Sequence, residues 1–135
     1  MIAKRLIEII VLGAAVLLTG CSGDGYTPEL LAIDSILNEK PDSALRLLDS
    51  LGTEARSWSK SQRMRHSLLT LKAQNKAYVP FTSDSLARDL VGYYDDNGSS
   101  NDRLLAHYLL GCVYRDLGEA PHAVDCYLDA INQAD

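Results

Sequence analysis

"RLLAHYLLGCVYRDLGEAPHAVDCYLDAINQAD", Arg103 to Asp135, holds apolar residues three and four apart on both sides of Leu117-Gly118, with Pro121 just beyond. That spacing belongs to the α-helix, a glycine is suited to ending one helix, and a proline is suited to starting the next. Two helices joined by so short a link fold back on each other as an antiparallel hairpin. No stretch elsewhere in the 135 residues alternates like a half-buried strand, so the expected class is all-α.

The same reading extends upstream. Thr27 can cap a helix that has Pro28 in its first turn and runs to about Asn38. After "NEKP", Pro41 opens a second helix, with Ala44, Leu45, Leu47, Leu48 and Leu51 inside and Gly52 just past its end. A third is expected from about Lys60 to Tyr78, with Met64, Leu68, Leu69, Leu71 and Ala73 in the core. A fourth, from about Asp84 to Asp95, should bury Leu86, Ala87, Leu90, Val91 and Tyr94. Between it and the last hairpin, "DNGSSND" reads as the clearest internal loop.

At the other end, "MIAKRLIEIIVLGAAVLLTGC" has basic Lys4 and Arg5, a ten-residue apolar run from Ile9 to Leu18, and small residues before Cys21. This is the plan of an export signal, and the run is too short for a comfortable membrane span. Leu18, Thr19, Gly20 and Cys21 resemble the lipobox of bacterial lipoproteins. The resemblance implies cleavage between Gly20 and Cys21 and acylation of the Cys21 thiol. Residues 1–20 are then the signal, residues 21–26 ("CSGDGY") a polar tether, and residues 27–135 the folded domain.

The carboxyl-terminal hairpin resembles the tetratricopeptide repeat. Leu110, Gly111 and Tyr114 match the signature of its first helix, and Ala123, Tyr127 and Ala130 that of its second. His107 stands where the repeat has tryptophan, and Asp135 where it has proline. The spacing recurs 79 residues upstream as Leu31, Ala32 and Ser35, then Ala44, Leu48 and Leu51, while the middle unit shows Ala87, Val91 and Tyr94. The implied architecture is an α-α superhelix of about three helical hairpins. Gly111 and Ala123 would be small where the paired helices approach, with Tyr114 and Tyr127 filling the space around them. Tyr127 and Ile131 would face the place of a further helix, as expected first of a fragment of a longer chain and second of a face that meets a partner.

Repeats of this family line a concave groove with their first helices, so the resemblance implies a binding stripe of Leu105, Tyr108, Cys112, Arg115 and Asp116. With so few repeats the stripe has an alternative role as packing, which its counterpart Ile33, Ile36 and Leu37 suggests. The repeat's geometry puts Cys112 and Cys126 on opposite sides of the hairpin contact. They read first as small buried residues and second as a disulfide of an exported protein.

Composition narrows the function. Net charge is −5, and the chain without residues 1–20 keeps 11 basic and 17 acidic side chains, or −6. A nucleic-acid partner is not expected, because Lys60, Arg63 and Arg65 are the nearest thing to a basic cluster and read as a solvated helix face. His66, His107 and His122 show no metal-ligand spacing, there is no CxxC, P-loop or GxSxG, and no catalytic group or cofactor is expected. The expectation is a lipid-anchored, non-enzymatic module that binds a protein or peptide, periplasmic and at the outer rather than the inner membrane. The alternatives are the sensor end of a longer membrane-bound regulator and a glycan-binding lipoprotein of an uptake system.

Overall fold

Three of the helices start where a side chain accepts from the free N–H groups of the first turn. A computed structural model describes residues 22–134, and among them are seven α-helices and no strand. Gly20, Cys21 and Asp135 lie outside the described residues. The helices are α1 (Pro28–Leu37), α2 (Pro41–Ser50), α3 (Gly52–Ala55), α4 (Lys60–Lys76), α5 (Ser85–Asn97), α6 (Ser100–Asp116) and α7 (Ala120–Gln133). Thr27 Oγ1 accepts from the Leu30 N–H at 3.1 Å, as its position before Pro28 predicts. Ser59 with Gln62, and Ser99 with Asp102, form reciprocal capping boxes at the starts of α4 and α6.

These caps also correct one boundary. "DNGSSND" is not an open loop: Asp96 and Asn97 continue α5, and Ser100 to Asp102 already belong to α6. Only Gly98 and Ser99 link the two helices, because the Ser99–Asp102 box starts α6 early.

Side-chain contacts give the arrangement. Arg103 meets Gln133, Tyr108 meets Tyr127 and Tyr114 meets His122, so α6 and α7 are antiparallel. By contrast α4 and α6 run parallel, joined near their starts by Arg65–Asp102 and near their ends by Asn75–Arg115. Lys72 Nζ reaches Asp34 at 3.0 Å, holding α1 beside α4. Helix α4 therefore borders two cores. Leu69 and Ala73 join Leu30, Ile33, Leu37, Ala44 and Leu48, whereas Leu68 and Leu71 join Leu90, Tyr94, Leu109, Val113 and Cys126.

Several expected positions fall elsewhere. Leu47 and Leu86 are exposed, since α2 packs on α1 and α4 through Ala44 and Leu48, and α5 through Ala87, Leu90 and Tyr94. Of the upstream positions with the repeat-like spacing, Ala44 and Leu48 are buried, but those on α1 are not. There Leu30, Ile33 and Leu37 are buried, while Leu31, Ala32 and Ser35 face solvent. Among the described residues α1 packs on α2 and α4, and this single stripe makes those contacts.

The largest correction concerns Arg65, which is no part of a solvated face. It is 3% exposed and donates to both carboxylate oxygens of Asp102, at 2.8 and 3.0 Å. Its Nε donates to the Asp24 carbonyl at 2.9 Å, and its guanidinium lies over the rings of Tyr26 (4.4 Å) and Tyr94 (5.3 Å). The tether expectation therefore fails for Asp24 to Tyr26. Gly25 is buried with φ 79°, in a position where a methyl would lie 2.1 Å from the Ser61 carbonyl oxygen, and Tyr26 donates to Asp34 at 2.6 Å.

Burial alone pushes the Asp102 carboxyl up, but the hydrogen bonds and charge of Arg65, with those of Ser99, win and hold it below the ordinary value of 3.8. A depressed folded-state pKa adds stability that is complete above the unfolded value and lost as pH falls through the folded one. Acid titration of stability should therefore steepen below about pH 4. Asp102→Asn should flatten that slope, as followed by urea unfolding, and should cost about 3 kcal/mol at neutral pH, the low end for a broken buried pair.

Candidate binding groove

The signature residues of the last hairpin set its spacing. Gly111 is buried, and a methyl there would lie 2.5 Å from Tyr127 Cε1, so the glycine makes room for that ring rather than for Ala123. Leu110, Ala123 and Ala130 are buried. The Tyr114 hydroxyl donates to Asp84 at 3.1 Å, tying α6 to the start of α5. His107 is buried with Nε2 2.8 Å from Asp95. Cys112 and Cys126 are free, buried thiols, and burial, reinforced by Asp129 and Asp125, pushes the Cys126 thiol up. The Tyr127 hydroxyl lies 3.9 Å from Cys112 Sγ, and burial with that neighbour pushes the phenol to about 12.

The predicted binding stripe divides in two. Cys112 has no exposed surface and Leu105 packs against the core, because α4 and α7 cover that part of α6. Tyr108, Arg115 and Asp116 instead line a groove of about 630 Å³. Its other walls come from parts of the chain that the stripe did not include: Asn38 and Pro41 around the α1–α2 turn, Asn75 and Lys76 at the end of α4, and Tyr78 to Pro80 beyond it.

A hydrogen-bonded chain fixes the floor. Arg115 Nη2 donates to Asn75 Oδ1 at 3.0 Å and Arg115 Nε to Asp116 Oδ1 at 2.9 Å, while Asp116 Oδ2 accepts the Phe81 N–H at 3.0 Å. Burial opposes the Asp116 charge, but the Phe81 N–H and Arg115 hold its carboxyl below the usual value. Half of the Arg115 side chain stays open to solvent, leaving donors for an incoming acceptor. Tyr108 also walls an apolar cleft of about 390 Å³, with Leu104, Tyr127, Ala130, Ile131 and Ala134. Among the described residues no three His, Cys, Asp or Glu side chains converge as a metal site, and no helix is long and apolar enough to cross a membrane.

One groove residue is held at a conformational cost. Tyr78 has φ 58° and is 92% exposed. Its N–H donates to the Asn75 carbonyl and that of Val79 to the Gln74 carbonyl, closing α4 in a Schellman turn. Gly118, with φ 76°, closes α6 through the same pair of bonds from Gly118 and Glu119. A glycine meets the demand for positive φ at the second site, whereas at the first the chain keeps a tyrosine on the rim of the groove.

No protein-family model, no curated protein and no solved structure matches this chain.

Tyr78→Gly should raise stability by about 1 kcal/mol, because glycine adopts that backbone without a Cβ clash. Chemical denaturation checks it, and an unchanged or lower midpoint would show that the tyrosine ring contributes more than its backbone costs.

Proposed function

We propose that this chain is a lipid-anchored, non-enzymatic binding module of the cell envelope, built as three tetratricopeptide-like hairpins and holding a segment of a protein partner in the Tyr78–Tyr108–Arg115 groove. The observation that carries this reading is the convergence of all three hairpins on that groove: Asn38 from the first, Asn75, Lys76 and Tyr78 from the second, Tyr108, Arg115 and Asp116 from the third. Tyrosine and arginine are residue types that dominate binding energy when a partner covers them. The asparagines and the Arg115 donors suit the backbone amides of an extended peptide. The anchor rests on the sequence from Leu18 to Cys21 and places the domain on the periplasmic side of a membrane, the outer one in this reading.

A second reading is favoured by one feature. Two exposed tyrosines beside asparagine, arginine and carboxylate side chains also suit a sugar ring, so an oligosaccharide is the other ligand class.

Two measurements test the proposal together. Labelled fatty acid should enter the wild-type protein and not Cys21→Ala, which should leave the membrane fraction; uptake and retention by the variant would overturn the anchor. A photo-crosslinker at Tyr108 should capture a protein in intact cells, with capture lost on Tyr78→Ala, while the same group at Leu86 should capture none. Equal capture from both positions would overturn the groove, and loss of capture on adding oligosaccharide would move the assignment to the sugar.

A further inference from the structure

The residues just after Cys21 leave little slack between an anchor and the fold. Asp24 is held by its carbonyl to Arg65, Gly25 is buried against Ser61, and Tyr26 is bonded to Asp34 beneath the Arg65 guanidinium. Three peptide steps separate Cys21 from Asp24, a reach of at most about 11 Å. The docking point lies at one pole of the molecule, where α4 and α6 begin and Ser59 and Ser99 cap them.

The groove lies at the other pole. Helix α4 runs from Ser61, under Gly25, to Asn75 and Lys76 in the groove wall, a rise of about 22 Å. Parallel to it, α6 runs from Asp102, on Arg65, to Arg115 and Asp116. From this we infer that the clamped leader orients the domain on the bilayer, with the starts of α4 and α6 facing the lipid surface and the groove held away from it. The inference rests on the anchor at Cys21 proposed above and adds to it a fixed orientation in place of free tumbling on a tether.

The chain carries its own probe, since Trp58, its single tryptophan, sits immediately before the Ser59 cap at the pole facing the lipid. The acylated full-length protein would be placed in phosphatidylethanolamine–phosphatidylglycerol vesicles containing dansyl-labelled phosphatidylethanolamine. Energy transfer from Trp58 to the dansyl headgroups should exceed, several-fold, that from the indole moved to the groove rim in a double variant carrying Trp58→Phe and Tyr78→Trp. A ten-residue Gly-Ser insertion between Ser22 and Gly23 should bring the two values together. Equal transfer from the two positions without the insertion, in protein whose acylation is confirmed by mass, would overturn the orientation and leave the anchor standing. Absence of acyl groups on Cys21 would overturn the anchor and the orientation with it.

Discussion

A guanidinium withdrawn from water needs partners for its charge and its nitrogens, and Arg65 finds them on three separate parts of the chain. The Asp102 carboxylate comes from the start of α6, the Asp24 carbonyl from the leader, and the two aromatic faces from Tyr26 and from Tyr94 on α5. Burial opposes the Arg65 charge, but the Asp102 hydrogen bonds outweigh it and raise the pKa. Asp102 has a second duty, closing the capping box that starts α6. One ion pair thus sets where α6 begins, how it lies beside α4, and where the chain enters the fold.

The rest of the architecture follows from that alignment. With α4 and α6 parallel and pinned near their starts, their ends emerge side by side, and Asn75, Arg115 and Asp116 can meet around Phe81. The pair is oriented by a bidentate fork, a geometry that lysine could not reproduce. Apolar burial on either side of α4 supplies the bulk of the stabilisation, and the ion pair supplies the register. The result is a molecule with two unlike poles, one holding the leader and one holding the groove.

Much of this was legible in the sequence. Proline and threonine at helix starts, glycine at helix ends and apolar residues three and four apart were enough for every long helix and for the pairing of α6 with α7. Arg65 was missed because its charge was read before its position: it lies three and four residues before Leu68 and Leu69, on the stripe that faces inward. The groove was half legible. Tyr108, Arg115 and Asp116 follow from the repeat-like spacing, but Cys112 and Leu105 share that spacing and are covered by neighbours whose placement no local pattern records. Asn38, Asn75 and Tyr78 enter the site only through the packing of separate hairpins. Tyr78 carried no warning, because a tyrosine is an unusual residue for a backbone position that favours glycine.

The central claim is that Arg65 and Asp102 act as one unit linking α4 to α6, and a double-mutant cycle with Arg65→Met, Asp102→Ala and the pair measures this directly. By urea unfolding at neutral pH, the coupling free energy should be about 2 kcal/mol, separate from the capping role that Asp102 plays alone. Additive losses, with coupling near zero, would contradict the account.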